Sequence, residues 1–266
     1  MRLFSRKFLP LILIFLSACA SQNPCSPISP DSSVSTFKND DWAAVLEKVT
    51  TADGYVQWDL FQSNSDDVRD KLLKYIGEIG AASPDNRPEL FATDADRAAY
   101  WINAHNALCM FWVINHDYPA TIPQTIPDTF NVGGKQMTES DLSQRASNSD
   151  PDPRIFFALN FCAESCPPLR NTQYDGPVLD AQLADQAHVY LRDPRAAVRQ
   201  GQVVLLSDWI LTHKDAFTSA VATAPSQPDA ALLSSLRWMA TGDSPIAWAT
   251  DVGKLGFNWS LNRPSR

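Results

Sequence analysis

The sequence predicts an α+β fold: one helix-rich domain around a buried central helix, with a small, mainly antiparallel sheet. Three observations carry this expectation. Asp94 to Asn115 is apolar on most faces of a helix, through Ala99, Trp101, Ile102, Leu108, Met110 and Val113, and a helix apolar all round is a buried one. Ile155 to Phe161 is a continuous apolar run of strand length, opened by the turn pair Asp152-Pro153. The chain has 266 residues, 44% of them hydrophobic, and no internal repeat, so its globular part builds one substantial core.

The start of the chain reads as a targeting segment, 1–18. Arg2, Arg6 and Lys7 precede an apolar run from Phe8 to Phe15 that is too short to span a bilayer, and Leu16-Ser17-Ala18-Cys19 fits a bacterial lipobox. Cys19 is then the expected lipidation site. Ala20 in place of Asp after it resembles the outer-membrane sorting class. Residues 19–38 are rich in Ser and Pro, which is the composition of a tether, with an end-to-end distance on the order of 25 Å. The globular domain is expected over 39–266.

Within it, Val45 to Leu60 begins as a short helix and turns at Asp53-Gly54. Asp66 to Ile79 is amphipathic, and Gly80 is placed to end it. Thr93 or Asp94 caps the central helix, whose Arg97, Asn103, His105 and Asn106 exclude a membrane span. Pro119 to Asp128 is a Pro-punctuated loop, and Gly133-Gly134 marks a hairpin turn. Val178 to Leu191, Asp208 to Phe217 and Leu232 to Ala240 read as helices; Gln202 to Leu206 and Phe257 to Leu261 read as strands.

Charge excludes one class of partner. The chain carries a net charge of -8; removing 1–18 takes away three basic residues and no acidic one, leaving 19 basic against 30 acidic residues, a net -11. A nucleic-acid surface needs the opposite balance, and membrane attachment would come from the lipid rather than from charge. The sequence has no phosphate-binding Gly loop, no Gly-x-Ser-x-Gly elbow and no paired Cys or His spacing of a metal site, so no cofactor and no metal are expected.

Cys166 is the candidate reactive group. Ser165 is placed to cap a short helix with Pro167 and Pro168 in its first turn, and a thiol at that end would favour thiolate. Cys166 is equally readable as a buried small residue, or as half of a disulfide with Cys162. His105 is either a satisfied core histidine bridging to a backbone carbonyl or the base for a thiol. His213 either complements a helix C-terminus or serves as that base. Asn103 and Asn106 suit side-chain amides that hold irregular backbone. With Arg154 and Arg170 they are also the candidates for lining a binding cleft. His188 is expected to face solvent.

Five ordered blocks carry a family resemblance: Gly54 to Leu60, Ala98 to Leu108, Asp152 to Arg170, and the closing pair Leu205 to Phe217 and Phe257 to Asn262. Together they resemble the domain-of-unknown-function 547 (DUF547) family over roughly Trp42 to Asn262. The departures are chemical. The family's His after Arg-Ile is Phe156 here, its acidic-His pair is missing from Thr138 to Ala146, its usual Tyr is His105, and its upstream Cys falls at Phe161. Two readings follow. The first is an envelope lipoprotein, outer-membrane anchored and facing the periplasm, whose domain binds or scaffolds an unknown envelope ligand or protein. The second is a thiol-dependent hydrolase or transferase of papain-like arrangement, with Cys166 as nucleophile. The missing histidines favour the first, because a thiol nucleophile needs a base within hydrogen-bond reach.

Overall fold

Thr93 opens the helix on which the rest of the chain is built. Its side chain accepts from the Asp96 amide while the Asp96 carboxylate accepts from the Thr93 amide, a reciprocal cap. A computed structural model describes residues 37–63, 65–219 and 228–264. The expectations for the leader and for lipidation at Cys19 lie outside the described residues.

The elements follow in order. α1 (Asp40–Val49), α2 (Asp59–Gln62) and α3 (Val68–Ala81) precede the central α4 (Asp94–Asn115). A two-stranded antiparallel hairpin, β1 (Phe130–Val132) and β2 (Lys135–Met137), leads into α5 (Glu139–Ser149). After an irregular stretch come α6 (Leu179–Tyr190), β3 (Ala197–Gln200), β4 (Val203–Ser207), α7 (Asp208–Thr212), α8 (Lys214–Ser219), α9 (Pro228–Ala240) and β5 (Asp251–Leu255). In the second sheet β4 is central, antiparallel to β3 and parallel to β5. The α+β expectation holds.

Every residue of α4 from Ala98 to Met110 is buried, so neighbours surround it on all sides. It stops where Asp117 and Tyr118 take left-handed backbone (φ 53° and 55°) ahead of Pro119. One apolar core surrounds α4. A second, smaller one lies between α6, α9 and the β3–β4 pair, and Phe156 and Trp209 pack against both. The Gly133-Gly134 turn also holds, with φ 56° and 81° between β1 and β2.

Three expectations are corrected. Ile155 to Phe161 is not a strand: Pro153–Phe157 is a 3-10 helix, started by the Asp152 carboxylate accepting from the Arg154 amide at 2.8 Å. The run is apolar because it is wedged between α4, α5 and α6, and periodicity cannot separate that from a buried strand. Second, the Ser165 segment forms no helix; the Ser165 hydroxyl instead accepts from the Asn258 amide at 2.9 Å. Third, Phe257 to Leu261 makes only isolated bridges, Ser260 with Thr121 and Leu261 with Ala163, while the paired strand is β5.

The chain ends by tying the molecule together. Asn262, fully buried, donates its amide to Cys162 O at 2.7 Å and accepts the Val56 amide on its side chain at 3.1 Å; its carbonyl takes the Trp58 indole.

Candidate functional site

A cleft of about 400 Å3 opens between segments distant in sequence: loop 123–126, the N-terminal half of α5, α7 with His213, and residues 257–259. That volume is within the range of small-molecule sites, about 300–1,000 Å3.

One wall is aromatic. Phe161, 7% exposed, backs the partly exposed Trp209, Phe257 and Trp259 at ring-centre distances of 5.1, 6.0 and 5.5 Å. Phe257 and Trp259 lie 4.4 Å apart. Phe161, Phe257 and Trp259 touch one another and Trp209 joins them through Phe161, so the rings form one packed cluster rather than a cage. Trp209 is fixed by its indole N–H, which donates to Phe156 O at 2.7 Å. His213 stacks 4.2 Å from Phe156 and lies 4.2 Å from Trp209. Its Nδ1 is 2.8 Å from Trp209 O, and a carbonyl only accepts, so Nδ1 carries the proton and Nε2 of the neutral ring is an acceptor. Burial pushes its pKa below the usual value, with the Trp209 carbonyl and Glu139 pulling the other way.

The opposite side holds Glu139, the first residue of α5, 18% exposed, with Oε1 2.7 Å from Nε2 of fully buried His105. The proton inventory of this pair follows from its neighbours. Asn106 Nδ2 donates to Ala158 O at 2.9 Å and Asn106 Oδ1 accepts the Asn160 amide at 2.8 Å, which fixes the amide's orientation. The His105 Nδ1, 3.0 Å from that same Oδ1, must therefore be a donor. Between Nε2 and the carboxyl there is then one proton: imidazolium with carboxylate, or neutral ring with carboxylic acid. The pair is electrically neutral either way. Burial raises the Glu139 pKa, but the hydrogen bond and charge of His105 outweigh it and hold it below the ordinary value. Asp208, the other carboxylate of the cleft, is paired with Lys254 Nζ at 2.8 Å.

The thiols stand apart from this site. Cys109, Cys162 and Cys166 are free and buried, so of the alternatives open for Cys166 the disulfide with Cys162 is not formed. Cys166 does not line the cleft. Burial pushes its pKa up to about 12, against hydrogen bonds from the backbone at Phe161 and Ala163. The expected pairing of Cys166 with His105 or His213 is not among the contacts of any of the three. The sulfur that does approach His105 is Cys109, 4.0 Å from Nε2. A Cys–His–acid triad uses opposite ring nitrogens for nucleophile and acid. Here Glu139 and Cys109 share one, and burial raises the Cys109 pKa well above normal.

The other candidates are structural or lie elsewhere. Asn103 exchanges two hydrogen bonds with the Tyr174 backbone, 2.8 and 2.9 Å, and Asn106 clamps Ala158 and Asn160: both hold irregular backbone and neither reaches the cleft. Arg154 is gripped by Asp152 and Asp180 and lines a separate cleft of about 510 Å3 with His188 and Trp238, and Arg170 pairs with Asp185 at 2.5 Å. His188 is exposed, as expected. Among the described residues no cluster of three or more His, Cys, Asp or Glu is placed to hold a metal.

Sequence reasoning passed over Glu139, Trp209 and Trp259. A signal for Glu139 was present: Thr138 and Asp141 have the spacing of a helix start, which puts Glu139 in its first turn.

Residues 91–191 match the family model described as "Protein of unknown function, DUF547". The match takes in α4 and the Asp152 to Arg170 block, while the Gly54, Leu205 and Phe257 blocks fall outside it. No curated protein matches the chain. No solved structure matches it either.

Proposed function

From the match of residues 91–191 to the DUF547 family model, we propose that the chain is a binding module of the bacterial envelope, without turnover by a thiol. The observation that carries this reading is the cleft itself: an aromatic wall faces polar side chains, and the three cysteines of the described residues are buried and none lines it. A deeply buried thiol whose pKa is about 12 is protonated at neutral pH and is a poor nucleophile. The basic start, apolar run and Leu16-Ser17-Ala18-Cys19 support anchoring by a lipid on Cys19, at the outer membrane and facing the periplasm. The acidic balance argues against nucleic acid as the partner.

Thermal unfolding of the purified full chain with a panel of neutral sugars, amines, amino acids and organic acids tests the binding reading. At least one compound raises Tm in the wild type and not in Trp259→Ala; if no class does so, the reading fails. Fatty-acid labelling tests the anchor, with label expected on the wild type and not on Cys19→Ala. Equal labelling of both would defeat it.

A further inference from the structure

We infer that the cleft takes a neutral saccharide of about disaccharide size, stacked on its aromatic wall. This rests on the binding reading above and names its ligand class. Charge bookkeeping is the first support. Among the described residues the only carboxylates lining the cleft are Glu139 and Asp208, and no Lys or Arg lines it. Glu139 shares one proton with His105, so that pair is neutral in either form. Asp208 is neutralised by Lys254 at 2.8 Å. A cationic ligand would find no uncompensated carboxylate, and an anionic one would find no cation; either would be desolvated without a partner.

The second support is the shape of the apolar wall. Quaternary ammonium sites surround the cation with separated ring faces. Here Phe161, Phe257 and Trp259 lie within 4.4 to 6.0 Å of one another; Phe161 is within 23° of parallel to each of the others, which are tilted 44° to each other. A packed surface of this kind receives the flat, C–H-bearing face of a sugar ring. The third support is the polar complement. Thr125, Ser140, Ser143 and Thr212 bring hydroxyls to the lining and Gln124 an amide. Hydroxyls both donate and accept, which matches a ligand bearing several hydroxyls of its own. His213 adds a neutral ring whose Nε2 is an acceptor.

The test is saturation-transfer NMR and calorimetry on the full chain. The probes are maltose, cellobiose, trehalose and N,N′-diacetylchitobiose, with the de-acetylated diamine of the last and an acidic disaccharide carrying a uronate as charged counterparts. At least one neutral sugar is expected to bind, and to bind about tenfold more weakly to Trp259→Ala. Thr212→Trp fills the cleft from its exposed side without removing a wall ring; it should abolish the same signal, and it stands in if Trp259→Ala does not fold. The charged sugars should bind more weakly than the best neutral one. If a charged sugar binds best, or no sugar binds while another compound class gives a Trp259-dependent Tm shift, the saccharide assignment is overturned and the binding reading survives. If nothing binds, both fall.

Discussion

Glu139 Oε1 lies 2.7 Å from His105 Nε2, and the other ring nitrogen of His105 is committed as a donor to Asn106. The carboxyl is therefore the group that completes a buried polar chain running from the cleft, through α4, to the backbone at Ala158 and Asn160.

Removing that carboxyl leaves a buried ring nitrogen without a partner. Glu139→Ala is expected to lose about 1–3 kcal/mol at pH 7, and Glu139→Gln less, because its amide N–H can donate to the neutral ring. The Glu139 pKa is lowered on folding, so its contribution is present above the unfolded carboxyl value and is lost as pH falls through the folded value. Urea unfolding against pH should show the wild type converging on Glu139→Gln in acid. A constant gap across that range would exclude the ionic pair.

Asn106 satisfies a carbonyl and an amide of a segment that has no strand neighbour. Asn106→Leu keeps the volume and orphans both groups together with the His105 Nδ1–H, with a cost of about 2–5 kcal/mol by chemical denaturation. A cost below about 1 kcal/mol would mean that water or a backbone shift replaces the amide.

Cys166 should be inert in the folded protein. With a pKa of about 12 and no exposure, its alkylation by iodoacetamide at pH 7 should be slower than that of a free thiol of pKa about 8.5, by roughly a thousandfold or more. Full reactivity should return in denaturant. Labelling of the native Cys166 as fast as a free peptide thiol would reopen the hydrolase reading.

Gly54 marks the closest approach of the N-terminal turn to the Cys166 loop. It sits at φ 74°, a Cβ there would stand 2.5 Å from Pro168 Cβ, and its carbonyl accepts the Leu169 amide at 3.2 Å. Gly54→Ala should therefore cost about 1–3 kcal/mol, through strained backbone and the clash with a rigid ring. An unchanged denaturation midpoint would show that the two loops separate freely.

By itself the sequence determined the elements whose cause is local. The bounds Asp94 to Asn115 were legible because an N-terminal cap, continuous apolar character and a proline after the end all act within a few residues. The Gly133-Gly134 turn was legible because left-handed backbone selects glycine. The bracing role of Asn103 and Asn106 was legible because buried amides must be satisfied. Only the tertiary structure decided what Ile155 to Phe161 is, since a buried strand and a buried irregular turn have the same apolar signature and differ in where their backbone hydrogen bonds go. It also decided the site. Glu139 meets His105 across 34 positions, and Trp209 and Trp259 reach one wall from separate segments, so no spacing along the chain records them. The same is true of Cys166: the chain shows a thiol between polar and proline residues, and burial on every side, which only packing creates, keeps that thiol protonated.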